Sequence, residues 1–289
     1  MLKRRRTRSA KRRTERAVMR ESTAILLTAL LIGAAPSSAS PSPAPRVDAL
    51  FAIYDDGALE PVAVRSGDHF LPADGTSGES PSAFVDAANA ALGAHSREVH
   101  VIFGRRTVAT VTADVVRGTA SIRIPGALHL GGNVNALASP TLTGSATHAR
   151  RAPTAAERRA ALAAAAAALH TSTARLTVAN LTAIDLGAAT PSLVGTVGVT
   201  GSGTPRRDTH AFFVYEPPAG LTLFNAQTIG VTEPLLADVA EYLVDAVDVP
   251  GAGPALVTRS LGYDAHTYVI YARSGARWRK IYTGGGVAL

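Results

Sequence analysis

The strongest constraint on the fold is a stretch of sequence that occurs twice in the second half of the chain. "AIDLGAATPSLV" (183–194) and "AVDVPGAGPALV" (246–257) share Ala, Asp, Pro, Leu and Val when they are aligned at an offset of 63. Further along, the offset is 56, and "HAFFVY" (210–215) matches "HTYVIY" (266–271). Each copy of a sequence repeat usually folds into the same structural unit. Both copies are therefore expected to adopt one local structure.

Each copy predicts four consecutive strands of alternating or continuous apolar residues. The strands are expected at 175–186, 192–200, 210–216 and 221–229 in the first copy, and at 241–249, 255–261, 266–273 and 277–284 in the second. The loop "TGSGTPRR" (200–207) explains the change of offset, because a hairpin tip tolerates inserted residues. We therefore expect two four-stranded antiparallel meanders, with a short helical turn at 233–240 between them.

The region 47–150 has a different pattern and contains short strands linked by turns. Strands are predicted at 50–54, 59–64, 69–72, 99–103, 106–115 and 120–124, with a helix at 82–92. Asp56-Gly57 is a hairpin signal, and residues 125–149 have no clear periodicity. This pattern is typical of a small barrel or sandwich.

The clearest local prediction is a helix over 153–170, at the start of the region 151–289. Thr154 and Glu157 form a capping-box pattern, and the alanine run that follows has high helix propensity. The predicted fold class is therefore mainly β with a few helices (α+β). It comprises a small barrel- or sandwich-like N-terminal region and two repeated meanders.

The first 39 residues have the layout of a signal peptide. A basic segment precedes an apolar run at 23–35, and Ala39 suits the position before a cleavage site. The run has 13 residues, whereas a membrane-spanning helix needs about 20. We expect cleavage near Ala39, a Pro/Ser linker at 40–46, and export to the periplasm or beyond. The alternative is an uncleaved segment that anchors the protein in the inner membrane through residues 23–35.

The composition excludes several classes of function once the leader is considered separately. The leader holds ten of the 29 basic residues and two of the 22 acidic ones, which leaves 19 and 20 in the rest of the chain. A nucleic-acid partner is therefore not expected. The chain has no cysteine, which excludes disulfides and thiol chemistry. Lys280 is the one lysine after the leader, and this arginine-rich, alanine-rich composition is typical of a GC-rich bacterium.

The repeated loop resembles the FG-GAP/VCBS (integrin-type) repeat over about 175–285. That family has a D-x-D-G-D-G-x-x-D/E-L loop, and the resemblance implies a calcium site made of its acids. Here Ser192 and Ala255 replace the final acid, and glycine and alanine fill most of the centre. The retained loop residues are Asp185, Pro191, Asp248 and Pro254. One carboxylate per loop cannot supply six to eight oxygen ligands, so no metal or other cofactor is expected and each aspartate should cap its turn.

Two histidines, His210 and His266, open equivalent third strands. One interpretation makes them ligands or acid–base groups together with Asp185 and Asp248. The other makes each a hydrogen-bond partner of a neighbouring strand or loop, such as the aspartate of its own copy. Repeat equivalence favours the second interpretation, because it implies a repeated structural role.

The C-terminal strands carry aromatic and basic side chains in alternation. The candidate binding residues are Tyr268, Tyr271, Trp278, Arg273, Arg277 and Arg279. Such aromatics either stack on a glycan or a peptide, or form cross-strand pairs that cover the sheet. The basic residues beside them form a local positive patch.

Taken together, these features predict an exported bacterial protein that acts as a non-catalytic binding or structural module of the envelope or extracellular space. Its expected partner is a glycan or another envelope protein, and it meets the membrane only through an uncleaved leader. Neither a G-x-S-x-G elbow nor a nucleotide-binding glycine motif occurs in the chain. The alternative function is a secreted hydrolase that uses Asp and His residues at strand ends.

Overall fold

The computed structural model describes residues 47–73, 82–126, 128, 130, 135–202, 206–231, 240–262, 266–275 and 277–286. The predicted leader and linker lie outside these residues, and so does the helical turn predicted at 233–240, except for Ala240. The described strands are β1 Val47–Ile53, β2 Ala58–Ser66, β3 His69–Phe70, β4 Glu98–Phe103, β5 Arg106–Thr112, β6 Asp114–Val116, β7 Thr119–Ser121, β8 Ala136–Ser139, β9 Leu176–Ile184, β10 Ser192–Val199, β11 Arg206–Glu216, β12 Gly220–Val231, β13 Glu241–Val249, β14 Gly253–Leu261, β15 His266–Ser274 and β16 Arg277–Gly284. The helices are α1 Ser82–Ala94 and α2 Ala155–Ala168, and a 3-10 turn covers Thr173–Arg175.

These strands form three sheets. The N-terminal sheet is curled and has the order β5-β4-β8-β1-β2-β7-β6, with β3 paired to β2. The first repeat sheet has the order β12-β11-β10-β9, and the second has the order β13-β14-β15-β16. The predicted fold class is therefore confirmed: the described chain is mainly β, with a curled N-terminal sheet and two four-stranded antiparallel meanders.

The two meanders share their strand register. Leu193 lies opposite Tyr215 in the first, and Leu256 lies opposite Tyr271 in the second. These pairs differ by the same offsets, 63 and 56, that relate the two copies in sequence. The register was thus encoded in the repeat, and the additional residues of the first copy lie at the β10–β11 hairpin.

The second repeat sheet is the central layer because its side chains alternate between two apolar clusters. Val257, Ile270 and Ala272 belong to a cluster that includes Leu50 and Leu137 of the N-terminal sheet. The intervening side chains of β14 and β15 face the other way and pack against the first repeat sheet. Burial on both faces explains why these strands are nearly continuous apolar runs.

Helices cover the two outer faces of this stack. Ala161 and Ala165 of α2 pack on the first repeat sheet, while Ala88 and Leu92 of α1 pack on the N-terminal sheet. The predicted capping box of α2 is confirmed: the Thr154 side chain accepts from the Glu157 N–H, and the Glu157 carboxylate accepts from the Thr154 N–H. The layers therefore follow the order α2, first repeat sheet, second repeat sheet, N-terminal sheet, α1.

Two features of the N-terminal region differ from the sequence expectation. The strand predicted at 106–115 is interrupted at Ala113, which is buried and whose N–H donates to the carbonyl of Arg97 at 2.8 Å. The unpatterned region 125–149 contains β8, which lies between β4 and β1 in the sheet and is buried at all four positions. Four residues are too few to display a period, so the sequence carried no signal for this strand.

The N-terminal and repeat regions share a core, and their described residues belong to one compact unit. Neither helix of the described residues is long and apolar enough to cross a membrane.

Candidate functional site

Both repeat aspartates contact one arginine of the N-terminal sheet. Arg105 lies in the tight turn between β4 and β5, and its side chain is only 7% exposed. Its Nη1 lies 2.8 Å from Asp248 Oδ1, its Nη2 lies 3.4 Å from Asp185 Oδ1, and its Nε donates to the Asp185 carbonyl at 2.8 Å. Equivalent loops of the two repeats are therefore joined through a single guanidinium, which we call the Arg105 anchor.

The backbone of this turn packs closely against Arg150. Gly104 has φ +63°, and a Cβ there would lie 2.4 Å from the Cβ of Arg150. Its N–H donates to both carboxylate oxygens of Asp245, at 2.8 and 3.0 Å, and Arg150 Nη1 lies 3.3 Å from Asp245 Oδ1. Complete burial raises the pKa of Asp245 to about 6, although Arg150 acts in the opposite direction. The N-terminal sheet is thus tied to β13 beside the Arg105 anchor.

The segment 145–148 supplies further donors to the two aspartates. Ser145 donates from its N–H and its Oγ to Asp248 Oδ2, at 2.9 and 2.6 Å. Thr147 donates from its N–H at 3.0 Å and its Oγ1 at 3.1 Å to Asp185 Oδ2, and the His148 N–H adds a third bond at 3.2 Å. The carboxylates are thus already engaged by protein donors.

Asp185 also caps its own turn, as the sequence predicted. The Gly187 N–H donates to its Oδ1 at 2.8 Å. Burial alone would raise the pKa of Asp185, but the bonds from Gly187, His148 and Thr147 outweigh it and hold the pKa at about 2. Within the described residues, no group of three or more His, Asp or Glu side chains is placed to hold a metal ion.

The prolines shared by the two loops lie at the start of the second strand of each copy. Pro191 directly precedes β10, and Pro254 pairs with Asp248 in the ladder of β13 and β14. The Pro254 ring approaches Gly187 of the other loop, since a Cβ at that glycine would lie 3.8 Å from Pro254 Cγ. The two copies of the loop are therefore neighbours, and the repeat brings their aspartates together.

His266 bonds to a carboxylate of the N-terminal sheet. Its Nε2 lies 2.9 and 3.0 Å from the carboxylate oxygens of Glu60 on β2, and both residues are buried. Tyr54 and Tyr268 donate their hydroxyls to the same carboxylate. Burial alone would raise the pKa of Glu60, but the bonds from His266, Tyr268 and Tyr54 outweigh it and lower the pKa. The imidazole therefore bonds across layers to β2, and not to the aspartate of its own copy, which was one of the partners considered.

The groups required by the hydrolase hypothesis do not share a pocket. Asp248 pairs with Pro254 at one end of β14, and His266 pairs with Leu261 at the other. At about 3.3 Å per residue, these ends are roughly 23 Å apart. The second histidine, His210, is half-buried opposite Gly198 in the first repeat sheet. The repeat aspartates and His266 therefore belong to separate networks.

A cleft of about 520 Å³ opens between the two repeat sheets, beside their edge strands β12 and β16. Its aromatic floor comprises Phe224, Tyr271 and Trp278, with ring centroids 4.5 Å apart for Phe224–Tyr271 and 5.9 Å for Phe224–Trp278. The Trp278 Nε1 donates to Glu216 Oε2 at 3.2 Å, and Arg273 Nη1 lies 3.0 Å from Glu216 Oε1. These bonds hold the indole in place and leave it half-buried at the cleft.

The walls of this cleft are polar. The buried Glu241 accepts from Thr258 Oγ1 at 2.5 Å, and burial together with Glu241 raises the pKa of Tyr271. Hydroxyl, amide and ammonium groups come from Thr222, Asn225, Ser260, Thr267, Thr283 and Lys280. The cleft therefore combines stacking surface with closely spaced donors and acceptors.

The candidate binding residues have three different environments. Tyr271 and Trp278 line the cleft, Tyr268 is completely buried against the N-terminal sheet, and Arg273 is engaged with Glu216. The other two candidates, Arg277 and Arg279, are exposed on β16.

Sequence reasoning missed the partners of these residues in other elements. Phe224 was detectable, because the fourth strand of each repeat carries an inward aromatic, here Phe224 and Trp278. The contacts of Arg105, Glu60 and Glu241 depend on which layers pack against each other. No local sequence pattern indicates which layers do so.

Comparison with protein-family models, with curated proteins and with solved structures finds no match to this chain. The resemblance of residues 175–285 to the FG-GAP/VCBS repeat therefore stays a prediction.

Proposed function

We propose that this protein is an exported bacterial binding module of the envelope or extracellular space, and that a carbohydrate occupies the cleft between its repeat sheets. The observation that carries this proposal is the aromatic floor of Phe224, Tyr271 and Trp278 beneath polar walls. Sugar rings present apolar faces that stack on aromatic side chains, while their hydroxyls need closely spaced hydrogen-bond partners.

The size and rigidity of the cleft support the same ligand. A volume of about 520 Å³ is within the range of small-molecule sites and suits a short oligosaccharide. Trp278 is held by Glu216 before any ligand arrives, so binding costs little side-chain entropy. Glu241 and the hydroxyl groups around it supply acceptors for sugar hydroxyls.

The test uses Trp278, which is the only tryptophan of the chain, so its fluorescence reports directly on the cleft. We expect saturable changes in emission on titration with at least one member of a panel of neutral oligosaccharides. Replacing Tyr271 with Ala should weaken that binding by roughly 2- to 12-fold, because a stacked ring contributes roughly 0.5–1.5 kcal/mol beyond the area it buries. The matched control is Val116→Ala, at an exposed apolar residue of β6 in the N-terminal sheet.

Two results would contradict the carbohydrate proposal. One is an emission spectrum that no oligosaccharide of the panel changes, in a protein that melts cooperatively; this favours a structural module. The other is an equal loss of affinity in the Val116→Ala control.

The hydrolase alternative is favoured by one contact, the 2.9 Å separation of His266 and Glu60. The Glu60 carboxylate already accepts hydrogen bonds from the Tyr54 and Tyr268 hydroxyls. This arrangement is more typical of a structural contact than of a catalytic base. Assays with chromogenic glycosides and esters test it: hydrolysis by the wild type that disappears in His266→Asn, with folding retained, would establish the alternative.

A further inference from the structure

Strand β16 separates two clefts. It is the last strand of the second repeat sheet, and among the described strands it pairs with β15 alone. The cleft lined by Phe224, Tyr271 and Trp278, which we call the aromatic cleft, lies on the face of β16 that is turned towards the first repeat sheet. A second cleft of about 460 Å³ lies on its other side, bounded by the β13–β14 turn and by residues of β2 and β3. Lys280 lines both clefts, so they are adjacent across one edge strand.

The second cleft is positively charged. Its charged lining residues are Arg65, Asp68, Arg279 and Lys280. Asp68 is 94% exposed and lies 3.1 Å from Arg65, so the other two cations stay uncompensated within this lining. Arg277 adds an exposed guanidinium on the same strand. A ligand that enters this cleft is therefore expected to carry negative charge.

We propose that the second cleft binds the carboxylate of an acidic polysaccharide whose neighbouring neutral sugar ring occupies the aromatic cleft. This inference rests on the proposed carbohydrate function and names the class of its ligand. The two clefts lie on opposite faces of the second repeat sheet at its edge strand, so they are separated by a distance closer to the spacing of about 10 Å between stacked sheets. A disaccharide is about that long, so a polymer that alternates neutral and acidic sugars can place a ring in one cleft and the carboxylate of the next sugar in the other.

The charges favour such a polymer over a nucleic acid, which also stacks on aromatic rings. Glu241 places a buried carboxylate in the wall of the aromatic cleft. A nucleic acid carries a phosphate at every nucleotide and would be repelled there. An acidic polysaccharide carries its charge on alternate units, so a neutral ring can lie beside Glu241 while the carboxylate reaches Arg279 and Lys280.

The experiment compares hyaluronate oligosaccharides, which alternate neutral and acidic sugars, with neutral chito-oligosaccharides of equal length. Trp278 fluorescence is the readout for both. We expect hyaluronate to bind at least tenfold more tightly at low salt, because a charge-assisted hydrogen bond contributes more than a neutral one. Arg279→Gln should remove about that factor for hyaluronate and leave chito-oligosaccharide binding unchanged. Arg158→Gln, at an exposed arginine of α2, is the matched control and should bind both as the wild type does.

The outcomes separate the two proposals. If neutral oligosaccharides bind while hyaluronate is no better and Arg279→Gln has no effect, the second cleft is overturned and the carbohydrate function stands. If neither class of sugar changes the emission, the carbohydrate function fails and this inference fails with it. Oligo-dT and anionic lipid vesicles are tested in the same way. If either binds more tightly than hyaluronate and the binding depends on Arg279, the proposed ligand class is overturned.

Discussion

At the residue scale, the molecule depends on side chains that join layers distant in sequence. Arg105 is 80 residues from Asp185 and 143 from Asp248, yet its guanidinium contacts both. The resemblance to a calcium-binding loop implied that a cation would join the acids of each loop. In this fold, a protein guanidinium and the donors of 145–148 occupy the aspartates. The acid shared by the two copies of the loop therefore has a structural partner in each copy.

Removing the guanidinium should destabilise the protein strongly. We expect Arg105→Met to lower the free energy of unfolding by about 3–5 kcal/mol, since it leaves Asp185 and Asp248 without their cationic partner in a largely buried site. Urea denaturation measures the loss. The neighbouring and exposed Arg106→Met is the matched control and should change stability by less than about 0.5 kcal/mol. A loss below about 1 kcal/mol for Arg105→Met would contradict the role of this anchor.

Acid should weaken the same anchor. The folded pKa of Asp185, about 2, lies below the ordinary value of 3.8, so its ionisation stabilises the fold at pH values above about 4. That stabilisation, on the order of 2 kcal/mol, is lost as the pH falls from about 4 to 2. Chemical denaturation across this range should therefore give a smaller decrease for Asp185→Asn than for the wild type. Glu60 and Glu157 also have lowered pKa values, but they titrate in both proteins. Parallel curves would show that Asp185 contributes nothing to the acid dependence.

At the element scale, helix α2 shows how a sequence pattern leads to close packing. Its buried residues are Ala161, Ala165 and Ala166, so its axis can approach the first repeat sheet closely. The capping box sets where the helix begins, and Glu157 also forms a two-point ion pair with Arg151 at 2.7 and 2.8 Å. The alanine run therefore determines both helix propensity and layer spacing.

A larger side chain on the packed face should separate these layers. We expect Ala165→Leu to cost about 1–3 kcal/mol, because the site is completely buried and the extra atoms overfill it. The matched control, Ala163→Leu, is the same change at an exposed position of the same helix and should be nearly neutral. Thermal melts of the pair measure the difference, and equal melting temperatures would show that α2 does not pack tightly on the sheet.

At the scale of the whole molecule, the second repeat sheet holds the other layers together. Its two faces pack on two different sheets, and the Glu60–His266 contact and the two aspartate networks join it to the N-terminal sheet. The polar anchors join fixed points of the two layers, and they therefore specify how the sheets are aligned. The repeat therefore supplies one central layer and one outer layer, which share the register of their second and third strands but differ in burial.

The proposed export also belongs to this scale, and its test is direct. If residues 1–39 are a cleaved signal peptide, protein recovered from its host should begin near Ser40. N-terminal sequencing of the secreted or periplasmic fraction checks this. An intact Met1 in the membrane fraction would support the alternative, an anchor formed by residues 23–35.

The sequence predicted the elements of the repeats better than those of the N-terminal sheet. In the repeats, the two copies supported each other, and Asp185, Asp248, His210 and His266 could be aligned from the residue pattern alone. In the N-terminal sheet, β8 is too short to show a period, and the interruption at Ala113 depends on a hydrogen bond that Ala113 donates to another loop. For the candidate site, the sequence identified Tyr271 and Trp278 but placed Tyr268 with them, although that ring faces the opposite layer.

The sequence by itself determined the β class, the two meanders and their common register, because alternation and repetition are local properties of a chain. Only the tertiary structure decided that the second copy is the central layer, that Arg105 joins both aspartates, and that Glu60 is the partner of His266. Those contacts depend on which apolar faces bury each other. The apolar faces of the different sheets have similar amino-acid compositions, so the sequence does not show which face packs on which. Only the packing of the complete stack distinguishes them.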